Sequence, residues 1–340
     1  VQKVSSQSLK KTILGGFMAA LSEFSLIKTY FNQAAPEGYL GIGDDCALFG
    51  VQPGYQLAVS TDTLIEGRHF FSDVDPYQLG HKALAVNLSD LAAMGAKPTG
   101  CVLALALPSV QESWLQAFSA GFYDLAKQAH CPLIGGDTTR SHADIVLTVT
   151  VFGQVPMAQA LRRDVARVGD DIWLTGTLGA PDLALRYLSQ HLAHDPQRLA
   201  SSRPLLEQPN PPIHFAPQLL GYAHAAIDIS DGLLQDLGHV LTASHCGAEL
   251  DWERLPIHSA LQGLSPELQQ QCVLTGGDVF QLCFTAPAEH RAYLLELATQ
   301  CSIQLSRIGR ITHQQTGLVV YHQGKALDLP QRAGFDHFLL

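Results

Sequence analysis

Aspartate stands within two residues of glycine or serine in six short runs along the chain. The runs are GIGDD, STDT, NLSD, GGDTT, DISDG and GGDVF, with Asp44, Asp45, Asp62, Asp90, Asp137, Asp228, Asp231 and Asp278. We expect each to sit where a strand or helix meets a tight turn, since glycine permits close backbone approach there. Carboxylates that share a site repel one another unless cations lie between them, and Mg²⁺ prefers such oxygen donors together with substrate phosphates. The set indicates a site for several magnesium ions, although any one of these aspartates alone is typical of a turn or an N-cap.

The common nucleotide-binding signatures are absent from the sequence. It contains no G-x-x-x-x-G-K-[ST] and no kinase-type H-R-D or D-F-G, and GIGDDC lacks the third glycine of a dinucleotide fingerprint. Two basic residues remain as candidates. Arg163 precedes a predicted strand and could reach a phosphate or a ribose, or could be a solvated loop residue. His69 follows Asp62 by seven residues and could bind a phosphate or cap a turn.

The composition predicts a folded protein that does not bind polyanions non-specifically. The chain has 340 residues, of which 46% are hydrophobic and 15% charged. That length suggests roughly two domains with full cores. The net charge of -10 argues against a general nucleic-acid binder. Anionic ligands would have to be held by local devices such as metal ions, backbone N–H groups and a few arginines.

The cysteines and the N-terminus bear on the compartment. Seven cysteines without a C-x-x-C pair predict free thiols in the reducing cytoplasm. No apolar stretch approaches the roughly 18 residues of a membrane span, so we expect no membrane association. The run LKKTILGGFMAAL loosely resembles a signal peptide, but cleavage would send an odd number of cysteines into an oxidising compartment. We therefore expect residues 1–17 to precede a natural start at Met18, and residues 1–21 to be a disordered extension.

Strand-like and helical patterns alternate in two halves of the chain. In the first half, the predicted strands are YQLAVSTDTL and DIVLTVTVFGQV, and the predicted helices are PYQLGHKALAVNLSDLAAMGA and SWLQAFSAGFYDLAKQAH. In the second half, the predicted strands are GDDIWLTGTL, QLCFTAP and GLVVYHQ, with a helix over APDLALRYLSQHLAH. The proline-rich run AHDPQRLASSRPLLEQPNPPIHFAPQ predicts a long loop with helical pieces. The alternation indicates α/β or α+β layers, with a domain boundary after Val155.

Seven runs, taken together and in order, closely resemble the thiamine-monophosphate kinase family of the aminoimidazole-ribotide-synthetase-like superfamily. They are GIGDDCAL, STDTLIEGRHF, KALAVNLSDLAAMGAKP, IGGDTTR, AIDISDGLLQDLGH, TGGDVFQLCF and GFDHF, and the resemblance extends from about Ser22 to Phe338. It implies an N-terminal α/β domain over residues 22–155 that binds ATP and Mg²⁺ and forms a homodimer. It also implies a C-terminal α+β domain over residues 156–340 that closes the cleft. The implied reaction is the last step of thiamine diphosphate biosynthesis, in which ATP phosphorylates thiamine monophosphate.

The resemblance also assigns roles to individual residues. The implied magnesium ligands are Asp45, Ser60, Thr61, Asp62, Asp90, Asp137, Asp228 and Asp231. The implied ATP contacts are Tyr123, Gly136, Asp137, Arg163 and Ser230, and the implied thiamine monophosphate contacts are His69, Asp278 and Phe335. A monovalent cation such as K⁺ is plausible for this family.

This reaction can proceed by positioning and charge neutralisation alone. Several Mg²⁺ ions can bring two anionic substrates together and balance charge on the transferred group. The acceptor phosphate is already ionised, so we predict direct in-line transfer without a catalytic nucleophile or general base. Two alternatives remain. A selenophosphate synthetase would carry a reactive cysteine and a lysine before GIGDD, where NQAAPEGYL has neither. A non-catalytic binding protein would have lost metal ligands, which the first half retains.

The second Gly-Gly-Asp run departs from the family pattern, Gly-Gly-(Glu/Asp)-Asp-(Tyr/Phe)-Glu-Leu. Asp278 and Phe280 keep their types, whereas Val279 and Gln281 replace acidic residues. If either carboxylate helps to hold the cationic thiazolium, thiamine monophosphate should bind more weakly here. If both only support the loop, the departure is neutral.

Overall fold

Two β-sheets organise the part of the chain that the structure describes, a computed structural model covering residues 23–42, 46–330 and 333–335. The predicted extension over residues 1–21 and the candidate ligand Asp45 lie outside these residues. The first described element is a short helix, α1 (Glu23–Leu26), which continues as a π-helical turn over Ile27–Phe31. None of the helices in the described ranges is long and apolar enough to cross a membrane.

The first sheet has four strands in the order β1-β4-β2-β3. Their bounds are β1 (Tyr55–Ile65), β2 (Lys97–Leu107), β3 (Leu133–Arg140) and β4 (Val146–Pro156). β4 pairs antiparallel with β1 and β2, and β2 pairs parallel with β3. Burial alternates along β4, as expected for a sheet with one covered face. The exposed side, with Leu57, Val59 and Thr61 of β1, is called the open face below.

Two helices cover the other face of this sheet, α2 (Pro76–Ala93) and α3 (Glu112–Gln128). Asp75 caps α2 by accepting hydrogen bonds from the backbone N–H groups of Tyr77 and Gln78. The helices meet at glycines: a Cβ at Gly80 would lie 2.0 Å from the Phe118 carbonyl oxygen. Because the backbones of α2 and α3 approach this closely, α2 is buried along most of its length. Its polar side chains must therefore find partners inside the protein.

The second sheet has seven strands in the order β11-β10-β7-β9-β5-β8-β6. Their bounds are β5 (Asp171–Thr175), β6 (Ala226–Asp228), β7 (Cys246–Asp251), β8 (Leu282–Ala286), β9 (Leu305–His313), β10 (Leu318–His322) and β11 (Lys325–Ala326). The helices of this half are α4 (Ala180–Leu188), α5 (Pro196–Glu207), α6 (Leu233–Ser244), α7 (Pro266–Leu274) and α8 (Arg291–Gln300).

Adjacent residues of β5 face two different cores. Ile172 and Leu174 pack with α4, α6 and α7, whereas Trp173 belongs to the core that contains α2, α3 and α8. The core that contains α2, α3 and α8 extends from the first sheet to the second, so the two halves of the chain share apolar packing along α2. This packing fixes α2 between the loops of both sheets.

The predicted α/β (α+β) fold class is confirmed, and each quoted run contains the predicted strand or helix, although α4 ends at Leu188, six residues before the end of its predicted run. The proline-rich run contains α5 and a 3₁₀ turn over Ala216–Leu219, as expected. The placement of three aspartates at element ends was wrong. Asp62 and Asp137 lie inside β1 and β3, because pairing with β4 and β2 continues to the ends of those strands, and Asp90 lies within α2.

Candidate active site

A cavity of about 760 Å³ lies between α2 and β1 on one side and the loops around β6 and β8 on the other. We call it the cleft. The candidate residues that line it are Asp62, His69, Asp90, Asp228, Ser230, Asp231, Asp278 and Phe335. The volume is in the range of small-molecule sites. Residues from both halves of the chain thus converge on one space, as the motifs predicted.

One end of the cleft is acidic. Asp62 on β1 and Asp90 on α2 are hydrogen-bonded neighbours, and burial together with the Asp90 charge raises the pKa of Asp62 to about 6. Burial also raises the pKa of Asp90, against the hydrogen bond that Ser60 Oγ donates to Asp90 Oδ2 at 2.5 Å. The Asn87 side chain holds the strand by accepting from the Asp62 backbone N–H at 2.9 Å. Two carboxylates held in contact share a proton or a cation.

A third carboxylate reaches this end from the second sheet. Asp228, the last residue of β6, accepts a hydrogen bond from Ser89 Oγ of α2 at 2.8 Å. Burial, followed by the charge of Asp90, raises the pKa of Asp228 to about 7. Arg163 is exposed and does not line the cleft, but its charge opposes both of these shifts. The acidic end is therefore built from both halves of the chain.

The carboxylates of Asp62, Asp90 and Asp228 suit magnesium, which takes part of its ligands from water and substrate, better than they suit a metal ion that is bound by protein side chains alone. No three His, Cys, Asp or Glu side chains among residues 23–42, 46–330 and 333–335 converge closely enough to hold an ion by themselves. Mg²⁺ commonly takes one or two carboxylates, several waters and substrate phosphates. The desolvated carboxylates with adjacent serine hydroxyls fit that requirement.

The loop after β6 is held by a residue that the sequence interpretation overlooked. Asp236 in the first turn of α6 is buried, and its Oδ2 accepts hydrogen bonds from the backbone N–H groups of Ser230, Asp231 and Gly232, each at 3.0 Å. Burial raises the pKa of Asp236 to about 6, and these N–H groups oppose the shift. Asp236 thereby fixes the backbone that presents Ser230 and Asp231 to the cleft. An acidic residue in the first turn of a helix after Ser-Asp-Gly was the available signal.

The second Gly-Gly-Asp run lies against this loop. The Asp278 backbone N–H donates to the Ser230 carbonyl oxygen at 2.8 Å, and that of Phe280 donates to the Ile229 carbonyl oxygen at 2.7 Å. A Cβ at Gly277 would lie 2.5 Å from the Ser230 carbonyl oxygen, so glycine is required for this approach. Asp278 and Phe280 adopt left-handed conformations, with φ of 57° and 50°.

The other end of the cleft carries the residues assigned to thiamine monophosphate. His69 Nδ1 accepts from the Ile65 backbone N–H at 3.0 Å, so in the neutral ring the proton lies on Nε2. Phe335 lies under the Arg68 guanidinium, 5.1 Å from the ring centroid. Asp278 forms an ion pair with Lys82 of α2, with Nζ and Oδ1 2.9 Å apart. Lys82 was not singled out in the sequence, although its motif was.

Several residues assigned to ATP and metal lie away from the cleft within this one chain. Asp137 pairs with Ala104 of β2 and is exposed, on the open face. The Thr61 side chain also points to the open face, where its hydroxyl donates to the Val149 carbonyl oxygen at 3.1 Å. A Cβ added at Gly136, the neighbour of Asp137, would lie 2.0 Å from the Leu103 carbonyl oxygen, so this position cannot carry a side chain.

Tyr123 is the remaining ATP candidate, and it also lies outside the cleft. It belongs to α3, and its hydroxyl donates to the Phe31 carbonyl oxygen. Burial raises the pKa of the Tyr123 hydroxyl well above its usual value. Its assignment to the adenine therefore stays a prediction.

The two residues that depart from the family pattern do not face the cleft. Val279 is 5% exposed and packs in the core of the second half. Gln281 Oε1 accepts from Thr175 Oγ1 at 2.8 Å, and its Nε2 donates to the Asn210 carbonyl oxygen at 2.8 Å. Both positions support the loop that presents Asp278, which favours the neutral interpretation of the departure.

Comparisons with known proteins agree along nearly the whole chain. The family model described as AIR synthase related protein, N-terminal domain, matches residues 43–155, and its C-terminal domain counterpart matches residues 167–322. Thiamine-monophosphate kinase of Escherichia coli strain K12 is 43% identical over 327 residues, covering 94% of this chain and 99% of that protein. The crystal structure of thiamine-monophosphate kinase from Stenotrophomonas maltophilia K279a has a TM-score of 0.78 at 46% identity, covering 86% and 93% of the two chains. The structure of AaThiL complexed with AMPPCP and TMP has a TM-score of 0.72 at 27% identity, covering 94% and 97%.

Proposed function

The chain belongs to the AIR synthase related family and, within it, to the thiamine-monophosphate kinases, and from this premise we propose how its cleft works. The protein catalyses ATP-dependent phosphorylation of thiamine monophosphate to thiamine diphosphate. The proposal concerns direct in-line transfer in the cleft, with several magnesium ions at its acidic end. The observation that carries it is the convergence of desolvated carboxylates on a cavity whose other end holds His69 and Asp278.

Asp62, Asp90 and Asp228 are the described residues best placed to hold magnesium, with Asp231 nearby on the loop that Asp236 fixes. Asp45 remains a candidate ligand from the predicted set. When bound, the ions would neutralise charge on the phosphates and align them. The chain itself supplies fixed oxygen donors and a desolvated setting, in which such interactions are stronger than in water. A role for K⁺ remains an expectation from the family.

The acceptor needs orientation more than activation. A phosphate monoester is ionised at neutral pH, so its oxygen can attack without losing a proton to the protein. His69, with its ring proton on Nε2, is suited to donate a hydrogen bond to the acceptor. Asp278 and Phe335 would hold the organic part of the molecule. No side chain is assigned as nucleophile or general base.

A homodimer through the N-terminal half would complete the site. β1 is an edge strand, with Leu57 46% and Val59 55% exposed on the open face. A long apolar edge of this kind is usually covered in the native assembly. Asp137 also lies on the open face. Packing of two copies along the β1 edge and the open face can bring Asp137 of one copy toward the β1 strand of the other, which carries Asp62.

The free thiols bear on the compartment. All seven cysteines are unpaired, and five of them are buried. This supports the predicted cytoplasmic location, since a reducing compartment keeps thiols in this state.

The direct test is product formation. The protein is incubated with ATP, Mg²⁺ and thiamine monophosphate, and ADP and thiamine diphosphate are quantified by chromatography. We expect equal amounts of both products and none after removal of Mg²⁺ with a chelator. Binding of both substrates without formation of thiamine diphosphate would instead identify a binding protein.

A further inference from the structure

We propose that Lys82 is the positioning residue of the acceptor end of the cleft. Its ammonium group fixes the Asp278 carboxylate and the His69 main chain, and thereby sets the affinity for the organic part of thiamine monophosphate. The proposal rests on the proposed function, because it concerns how that substrate is held. Lys82 acts through Asp278 and His69 and needs no contact with the reacting phosphates.

The contacts of Lys82 join two segments that are far apart in sequence. Nζ donates to Asp278 Oδ1 at 2.9 Å and to the His69 carbonyl oxygen at 3.3 Å. The side chain of Lys82 is 2% exposed, whereas that of Asp278 is 34% exposed. Because a buried ammonium group without partners is strongly disfavoured, these two acceptors are what allow a lysine here. Both partners are residues that the family resemblance assigns to thiamine monophosphate.

The Asp278 loop needs an anchor of this kind. Asp278 and Phe280 both have positive φ, which non-glycine residues adopt only when their surroundings hold them. Three backbone hydrogen bonds hold the loop to residues 229–230, within the same half of the chain, and the third runs from the Ile229 N–H to the Gln281 carbonyl oxygen. Lys82 forms the ion pair that ties the Asp278 carboxylate to α2 in the other half, beside the apolar packing of Phe280 in the core that α2 shares. Without it, the carboxylate would be free to turn away from α2.

The spacing along α2 places Lys82 at the far end from the phosphates. Lys82, Val86 and Asp90 lie four residues apart on one helix face, and all three line the cleft. Eight residues of helix span about 12 Å. With Asp90 at the acidic end, Lys82 therefore lies where the ring portion of the acceptor would extend. A phosphate contact would require Lys82 to lie near Asp90.

The ion pair also explains how one carboxylate can recognise a ring. Lys82 occupies Oδ1 of Asp278, which leaves Oδ2 as the oxygen suited to accept a hydrogen bond from an amino group such as that of the thiamine pyrimidine. The ammonium charge offsets most of the attraction between Asp278 and a cationic thiazolium. Recognition at this end then depends on the orientation of the carboxylate rather than on net charge.

Steady-state kinetics of four variants test the proposal. They are Lys82→Met, Asp278→Asn, the double variant, and Lys127→Met as a control at an exposed lysine on α3. Each single change in the pair should raise KM for thiamine monophosphate about tenfold or more, as for loss of a charge-assisted hydrogen bond. KM for ATP should stay within about twofold, because the acidic end is unaltered. The double variant should raise KM by far less than the product of the two single effects, since Lys82 acts mainly through the Asp278 carboxylate and adds only the longer contact with the His69 main chain.

Three results would overturn the proposal. One is an unchanged KM for thiamine monophosphate in Lys82→Met. Another is a double variant whose KM rises by the product of the single effects, which would give Lys82 an independent role. The third is an equal rise in both KM values, which marks a general structural defect. If Lys82→Met does not fold, the comparison of the double variant, which leaves no unpaired charge, with Asp278→Asn decides. Failure of the wild-type protein to form thiamine diphosphate would instead remove the proposed function itself.

Discussion

The carboxylates of Asp62 and Asp90 are held together although their charges repel. Burial and mutual repulsion raise the pKa of Asp62, and Ser60 keeps Asp90 in place with a hydrogen bond of 2.5 Å. Such an arrangement is unfavourable in the free protein and becomes favourable when a cation enters. Strain of this kind is expected at a functional site rather than in a structural core.

The substitution Asp62→Asn distinguishes a role of Asp62 in catalysis from a role in the stability of the fold. We expect kcat to fall by at least about a hundredfold, because the proposed metal ligand at the transferred phosphate is lost. The melting temperature should be unchanged or higher, since an amide beside Asp90 removes a repulsion. Activity and thermal unfolding of the same preparation provide the measurement.

Asp144→Asn is the matched control for that change, at an exposed position between β3 and β4. It should retain both activity and stability. Unfolding of Asp62→Asn at room temperature would show that Asp62 is a structural residue.

At the scale of elements, α2 and the Asp278 loop position the site. α2 reaches the second half through Lys82 and Ser89, which contact Asp278 and Asp228. The loop is supported from behind by Val279 in the core and by Gln281 between Thr175 and Asn210. The side chains that differ from the family pattern therefore contact the support of the loop and do not line the cleft.

Val279→Asp and Gln281→Glu should consequently act on stability. An aspartate at the buried position 279 should lower the free energy of unfolding by about 3 kcal/mol or more. A glutamate at position 281 loses the bond to the Asn210 carbonyl oxygen and should lower it by about 1 kcal/mol.

KM for thiamine monophosphate in Gln281→Glu should stay within about twofold of the wild-type value. The free energy of unfolding of the same preparation is measured by chemical denaturation. A clear fall in KM in either variant would mean that a carboxylate at that position assists binding.

The sequence predicted which residues line the cleft better than it predicted their contacts and their positions within the strands and helices. Residue types and motif order predicted Asp62, Asp228 and His69 in one site, because those side chains follow directly from the motifs. Lys82 could not be assigned, since its partner lies 196 residues away and only the fold brings them together. The position of Asp137 inside β3 was missed because strand length depends on pairing with β2. Local patterns do not contain that information.

At the scale of the whole molecule, a single chain leaves part of the predicted ATP site apart from the cleft. Asp137 lies on the open face, three strands away from Asp62 in the sheet order β1-β4-β2-β3. Neighbouring strands lie about 4.8 Å apart, so the two residues are separated by roughly 14 Å. A two-fold dimer through the open face would place each Asp137 near the partner's half of the interface.

Subunit complementation tests this arrangement. Asp62→Asn and Asp137→Asn should each be inactive as homodimers. When the two are unfolded together and refolded, a heterodimer contains one site with both changes and one intact site. Activity should recover to roughly a quarter of the wild-type value under statistical assortment.

Lack of recovery, with heterodimers demonstrated by two affinity tags, would show that each chain uses its own Asp137. The two variants refolded separately are the controls.

The central claim is direct transfer between the substrates, with the protein supplying position and charge. The most direct measurement is the stereochemical course at phosphorus, using ATP whose γ-phosphate is made chiral with oxygen isotopes and sulfur. A single in-line displacement predicts inversion of configuration in the β-phosphate of thiamine diphosphate. Retention would contradict the account, because it requires a phosphorylated side chain in the cleft.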